Sequence, residues 1–183
     1  MMKKILIALL LIIAVPLVAA LFTKKEYQVV AQTTINQPVE VVFDYVRFLT
    51  NQDNFSVWAA MDPNMQKSSE GVDGTVGYIS RWRSDNPDVG VGEQEIKAIT
   101  ENQRIDFELR FIEPFSSVAP AYMTTEATGQ GQTRVSWGFH GKVPYPMNLM
   151  LVFVDVENII LQDLQTGLDN LKLILEAPEA APQ

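Results

Sequence analysis

The sequence contains no cysteine and only one histidine, His140, among its 183 residues. Without cysteine the protein forms no disulfide, no cysteine-linked lipid anchor and no thiolate metal site. A single histidine also excludes a cluster of histidine ligands. We therefore expect no metal and no cofactor.

Basic residues are scarce outside the N-terminal segment. Four of the 14 lysines and arginines lie in residues 1–25, which hold no acidic residue. The rest of the chain has ten basic and 22 acidic residues, a formal charge of −12. Nucleic-acid binding needs a basic face that neutralises phosphates. The charge therefore argues against nucleic acid as a partner.

Motifs of hydrolases and nucleotide-binding proteins are missing as well. No G-x-S-x-G sequence accompanies His140, which alternates out of phase with Trp137 and Phe139 and so belongs on the solvent face. The glycines of "GVDGTVG" and "VGVGE" join strand to strand without a following lysine. This pattern is typical of turns and not of phosphate loops.

Glu93 and Glu95 form a carboxylate pair that shares a strand face. Turned inward, the pair would be capable of acid–base chemistry. The phase of Gln94 and Ile96 favours these two as the inward residues, which leaves the glutamates solvated. The sequence thus predicts no catalytic residue.

One long apolar run stands at the N-terminus. "MMKK" precedes Ile5 to Phe22, eighteen residues without charge, and "TKK" follows. As a helix the run spans roughly 27 Å, close to the roughly 30 Å of a bilayer core. Residues 1–25 are predicted to be a transmembrane anchor. A cleaved signal peptide, with "VAA" near the cut, and a buried helix are the alternatives.

The orientation of this anchor rests on lysines that nearly balance on its two sides. We favour a cytoplasmic N-terminus, with the following domain on the periplasmic or extracytoplasmic side.

Hydrophobic periodicity predicts one domain in residues 26–176. A strand of period two covers residues 27–35, and Pro38 then opens a short helix. A second short helix or turn ends near residue 58, and residues 65–143 carry the alternation and turn signals of about six antiparallel strands. One long helix is predicted from Met147 to Glu176. Residues 177–183 are predicted to be a disordered tail.

This order predicts an α+β protein. A curved antiparallel β-sheet of about seven strands wraps on the long C-terminal helix, with two short helices after the first strand and the transmembrane helix before it. An open sheet face must be covered, and only the long helix is long enough to cover it.

The order of elements, together with "INQPVEVVFDYV", "W…MDPN" and "PYPMNLM…GLDNLK", resembles the START-like (SRPBCC) superfamily. It looks most like the branch of bacterial proteins related to polyketide cyclases and dehydrases, and the resemblance covers nearly all of residues 26–176. It implies a helix-grip fold around an internal apolar cavity. Members bind lipids, sterols, polyketides or other hydrophobic molecules, and only some are enzymes.

The resemblance implies that aromatic, aliphatic and a few polar side chains of the sheet and helices line such a cavity. The predicted lining residues are Phe43, Trp58, Tyr78, Ser80, Trp82, Gln94, Phe107, Leu109, Tyr122, Trp137, Phe139, Met150 and Phe153. Four of them, Tyr78, Ser80, Gln94 and Tyr122, are the candidate polar groups. Composition alone favours a solid core instead, because aromatic residues at strand spacing are core by default.

We therefore expect a membrane-anchored protein that binds a hydrophobic small molecule in this cavity, such as a lipid, an isoprenoid or a polyketide-like compound. A cyclase/dehydrase-type enzyme that uses the same cavity is one alternative. A protein-interaction module without a ligand is the other. The sequence does not distinguish the oligomeric state.

Overall fold

The computed structural model describes residues 2–178, without the side chains of residues 2 and 7–9. Most of the predicted disordered tail, residues 177–183, lies outside the described residues. The chain begins with helix α1 (Met2–Phe22), which includes Pro16. This helix is long and apolar enough to cross a membrane, a property that signal sequences and buried core helices share.

Three short helices follow the first strand, where two were predicted. Strand β1 (Glu26–Ile35) leads into α2 (Val39–Val46), α3 (Leu49–Gln52) and α4 (Val57–Met61). The second predicted helix is divided because Ser56 has an extended backbone, with φ −68° and ψ 131°. The chain therefore leaves the helical conformation before α4 begins.

Six further strands complete one sheet. They are β2 (Gln66–Glu70), β3 (Ile79–Arg83), β4 (Val91–Thr100), β5 (Arg104–Glu113), β6 (Ser117–Gly129) and β7 (Gln132–Lys142). The strand order is β1-β7-β6-β5-β4-β3-β2, and every neighbouring pair is antiparallel. This architecture confirms the predicted α+β fold, with its seven antiparallel strands and its long C-terminal helix.

The long helix α5 (Val156–Glu176) begins at Val156 and not at Met147. Residues Met147–Val152 form a 3-10 helix instead. The Asp155 carboxylate then accepts a hydrogen bond from the backbone N–H of Asn158 at 3.2 Å, which caps the start of α5. Apolar spacing runs through both segments, so the sequence pattern alone does not show the break.

The sheet has a lower end and an upper end, which are defined by the strand ends and loops that lie there. Its lower end contains Glu26 of β1, paired with Lys142 of β7, and the loops 84–90 and 114–116. Its upper end contains Ile35 and the turns 101–103 and 129–131. The C-terminus of α5 reaches the upper end, because the helix packs along β1 and begins at the lower end.

The upper half of the interior is a solid hydrophobic core. Its fully buried side chains come from five strands, α2 and the second half of α5: Ile35, Val42, Phe43, Ile96, Ile105, Met123, Val135, Leu168 and Leu171. The alternation predicted for β5 is present, since Ile105 and Phe107 are buried while Asp106 and Glu108 are more exposed. Packing is therefore complete above the middle of the sheet.

Candidate ligand-binding cavity

The lower half of the interior contains a cavity of about 760 Å³ that is open to the outside. It lies between the inner face of the sheet, α4, the 3-10 helix and the first turns of α5. Ala119 and Ala121 of β6 face inward in the middle of this wall and are almost fully buried. Because their side chains are small, they leave open the space that larger residues fill in the upper half.

Eight of the thirteen residues predicted as lining are found around this cavity. They are Trp58, Ser80, Trp82, Gln94, Leu109, Trp137, Phe139 and Met150. Six lie on the sheet at positions that the alternation predicted to face inward, and Trp58 lies on α4. Met150 belongs to the 3-10 helix and stands at the edge of the cavity, with 41% of its surface exposed.

Five predicted residues lie elsewhere. Phe43, Tyr78 and Phe107 belong to the solid core, with exposures of 0%, 6% and 2%. They face inward, but at a height where α2 and α5 already fill the interior. Phe153 is 80% exposed, because the chain is no longer helical between the 3-10 helix and α5.

Tyr122 lies on the outer face of the sheet. Its ring packs against Gly138 of β7, where a Cβ atom would come within 2.2 Å of the ring. The Arg104 guanidinium stacks on the same ring at 4.1 Å from its centroid, in a cation–π contact. The inward residues of β6 are its neighbours Ala121 and Met123, so the predicted phase of this strand is corrected by one residue.

An aromatic cluster closes the upper end of the cavity. Trp137 makes edge-to-face contacts with Phe55, at 5.6 Å between ring centroids, and with Trp58, at 6.4 Å. Gly167 of α5 permits this arrangement, because a Cβ atom there would lie 2.9 Å from the Trp137 ring. The cluster separates the solid core from the open space below it.

Trp82 forms part of the wall near the other edge of the sheet. Its ring lies over Gly92 of β4, whose missing side chain leaves room for it. The indole N–H donates to the Val89 carbonyl at 3.3 Å, and Phe111 contacts the ring edge-to-face at 6.3 Å. The tryptophan is thus fixed by one polar and one aromatic partner.

Gln94 is the most deeply buried polar side chain of the lining, with 8% exposure. It stands between Ser80 of β3 and Leu109 of β5 in the strand register. Within residues 2–178, its side-chain amide makes no hydrogen bond to the protein. Neither amide atom is among the buried side-chain atoms that lack a partner, so both reach the open space of the cavity. A donor and an acceptor are therefore available here to a ligand.

Tyr27 lines the cavity at the lower end and is absent from the sequence prediction. Its ring packs across Gly141, its partner on β7, and beside Phe139 at 6.3 Å. Burial, reinforced by the Glu157 carboxylate, raises the pKa of the phenol above its usual 10.0. The hydroxyl is therefore a protonated donor at neutral pH. The sequence analysis did not predict Tyr27 as a lining residue because it stands at the start of β1, beside the link to α1.

The charged side chains of the lining stand at its rim. Asp53, Lys67, Arg81, Asp88, Glu113 and Lys142 are exposed or, for Arg81, half-buried. Ion pairs hold several of them, including Asp53 with Lys67 at 2.8 Å. In the described part of the chain, no group of three or more histidine, aspartate or glutamate side chains is placed to hold a metal ion.

The outer face of the sheet carries a separate ion-pair network. Arg110 bonds Glu93 at 2.6 Å, Glu95 at 2.7 Å and Glu108 at 2.5 Å. Its hydrogen bonds lower the pKa of Glu93 and Glu95 below the usual 4.5. The carboxylate pair thus faces away from the cavity, as the strand phase predicted, and His140 is exposed on the same face.

A seven-stranded antiparallel sheet that closes on a long C-terminal helix over an apolar cavity defines the START-like, helix-grip class of proteins. Within this class, the family described as "Polyketide cyclase / dehydrase and lipid transport" matches residues 26–176. The chain belongs to this family. The matched residues therefore form a domain of the ligand-binding or cyclase/dehydrase type.

Solved structures show the same fold at low sequence identity. A protein from Mesorhizobium loti is 15% identical with a TM-score of 0.60, and the match covers 84% of this chain and all of that one. A Nitrosospira multiformis protein is 17% identical (TM-score 0.57; 82% and 97% covered). The Aha1 dimer from Colwellia psychrerythraea is 14% identical (TM-score 0.56; 84% and 99% covered). A search of curated proteins found no match.

Proposed function

We propose that the protein is a membrane-anchored binding protein for a hydrophobic small molecule, such as a lipid, an isoprenoid or a polyketide-like compound. The observation that carries this proposal is the cavity of about 760 Å³. Small-molecule sites typically measure roughly 300–1,000 Å³. A ligand gains about 25 cal/mol for each Å² of apolar surface that it buries there.

The polar groups of the cavity narrow the chemistry of this ligand. Gln94, Ser80 and Tyr27 offer uncharged donors and acceptors, whereas the charged lining residues stand at the rim. A buried phosphate or carboxylate requires a buried positive partner. The site is therefore suited to an apolar body with one uncharged polar group, such as a hydroxyl or a carbonyl.

The junction between α1 and the domain supports an anchor that is retained. Asn148 is fully buried, and its amide nitrogen donates to the carbonyls of Ala20 at 2.7 Å and Thr23 at 3.0 Å. Ala20 is itself fully buried, and Lys24 forms an ion pair with Glu157. Helix ends need such partners for their last carbonyls. Cleavage beside "VAA" would remove the Ala20 carbonyl or separate it from this contact.

The proposal is tested by purifying the full chain from its host membranes in a mild detergent. Native mass spectrometry then shows whether α1 is retained and whether a ligand is bound. Extraction with organic solvent identifies the ligand class. A stoichiometric apolar ligand is expected, and a chain that leaves its own membranes without any ligand would count against binding.

The side of the membrane is tested separately. The proposal places residues 26–176 outside the cytoplasm, so protease added to intact spheroplasts should digest them. Protection until the cells are lysed would place the domain in the cytoplasm.

A cyclase/dehydrase-type enzyme is the second candidate. The family description includes such enzymes, and Tyr27 places a protonated phenol at the cavity wall. A positioned acid of this kind is what proton transfer to a substrate requires. Turnover of a polyketide-like substrate that Tyr27→Phe abolishes would favour the enzyme, and turnover that survives the substitution would exclude this role for Tyr27.

A further inference from the structure

The segment from Met147 to Val154 has the reverse of the usual surface pattern. Its apolar side chains point outward: Met147, Met150, Val152 and Phe153 are 54%, 41%, 62% and 80% exposed. Its polar Asn148 is fully buried. In a water-soluble surface segment the polar residue would face out and the apolar residues in. The pattern indicates an apolar environment outside the protein at this place.

A second segment at the same end of the sheet adds to this surface. Phe115, in the loop 114–116 between β5 and β6, is 74% exposed. The loop and the 3-10 helix both lie at the lower end, where β5 and β7 finish. We name Phe115, Met147, Met150, Val152 and Phe153 the apolar rim. Exposed apolar side chains gathered at one end of a domain are typical of a membrane or protein contact.

The apolar rim also borders the opening of the cavity. Phe115, Met147 and Met150 are lining residues, and each is substantially exposed to solvent as well. The upper end of the cavity is closed by Trp137 and its aromatic partners. The apolar way into the cavity therefore passes between the β5–β6 loop and the 3-10 helix.

The end of α1 is held at this same lower end. Asn148 lies inside the segment whose neighbours form the rim, and it binds the last carbonyls of α1 directly. The backbone N–H of Val143 also donates to the Lys25 carbonyl at 2.8 Å. With only three residues between α1 and β1, the domain has little freedom to turn its lower end away from the membrane.

Charge supplies little of this contact. Three of the four basic side chains at the lower end are paired with acids: Lys24 with Glu157, Lys142 with Glu26 and Arg83 with Glu113. The fourth, Lys25, is exposed. Attraction to anionic lipid needs unpaired basic residues. The rim is instead suited to the apolar boundary between head groups and acyl chains, where such faces lie about 5–10 Å deep.

We propose that the apolar rim inserts into the bilayer that α1 spans, so that the cavity opens directly into lipid and exchanges its ligand there without passage through water. This inference rests on the proposed retention of α1 as an anchor. It assigns a docking surface to the domain itself, in addition to the helix that tethers it.

The chain has no cysteine, so single labels are introduced without background. Phe115→Cys and Phe153→Cys are made in the full chain, with Val152→Cys as a second site on the 3-10 segment. Val72→Cys is the matched control, because Val72 is 70% exposed but lies in the loop between β2 and β3 at the upper end. Each variant carries an environment-sensitive fluorophore and is reconstituted into phosphatidylcholine vesicles.

Quenching by brominated phosphatidylcholine is expected for the labels at 115, 152 and 153, with little quenching by aqueous iodide. The label at 72 should show the opposite, and added salt should change neither result. If iodide quenches the rim labels as strongly as the control, or if neither quencher reaches them because another protein copy covers the rim, the docking proposal is overturned. A chain that still carries its ligand in that case keeps the proposed binding function.

Discussion

Replacement of Gln94 by methionine should have opposite effects on stability and on ligand binding. Gln94 as a residue is 8% exposed, and its side-chain amide makes no hydrogen bond to any described residue. Transfer of an amide out of water costs free energy even where it keeps part of its hydration. Because Gln94 is largely buried and methionine places apolar atoms there, we expect Gln94→Met to raise the free energy of unfolding of the ligand-free protein by about 1 kcal/mol.

The same substitution removes the donor and acceptor that the ligand would use. Loss of one neutral hydrogen bond weakens binding by about 0.5–1.5 kcal/mol, a roughly two- to tenfold lower affinity. Methionine keeps nearly the same length and shape, so the cavity volume should change little. Stability and ligand occupancy should therefore move in opposite directions.

Urea unfolding of the delipidated full chain in detergent measures the change in unfolding free energy. Native mass spectrometry of the chain purified from membranes measures the ligand occupancy. Gln28→Met is the matched control, because Gln28 is exposed on the outer face of β1. It should change the unfolding free energy by less than about 0.5 kcal/mol. A Gln94→Met protein that is clearly destabilised, with unchanged occupancy, would show that the amide is bonded within the protein and would refute the assignment.

Three further predictions concern the cavity, the α1 junction and the outer face. Ala121→Phe should fill part of the cavity and abolish the co-purifying ligand seen by native mass spectrometry, while circular dichroism shows the fold retained. Asn148→Ala should cost about 1–3 kcal/mol, and it should speed trypsin cleavage at the α1 junction. At neutral pH, Arg110→Gln should cost about 1–2 kcal/mol. The lowered pKa values of Glu93 and Glu95 give stability that is present above pH 4.5 and lost as pH falls through those values. On acid titration the variant should therefore lose less stability than the wild-type protein.

Much of the fold follows from local periodicity. The alternation of Ile105, Phe107 and Leu109 with charged residues fixes which face of β5 is inward, because successive side chains on a strand point to opposite faces. The seven antiparallel strands follow from turn signals at regular spacing. The start of α5 was predicted too early because it depends on one capping carboxylate, Asp155, and not on apolar spacing.

The candidate site was predictable only in part. The sequence predicts Tyr122 as a lining residue, but a glycine on the next strand, Gly138, makes an outward aromatic ring possible there. Tyr27 was missed because it stands at the start of β1, beside the link to α1, although it is in phase with the buried Val29 and Ala31. The rings of Tyr122 and Tyr27 each lie over a glycine of a neighbouring strand. One sequence does not show which strands are neighbours.

The sequence by itself determined the class of fold, the inward face of most strands, the apolar N-terminal helix and the absence of cysteine chemistry. Only the tertiary structure decided where the interior is solid and where it is open. Phe107 and Leu109 stand on the same face of the same strand, yet one lies in the core and the other at the cavity. Periodicity gives the direction of a side chain, whereas its surroundings depend on how far α2, α4 and α5 extend over the sheet.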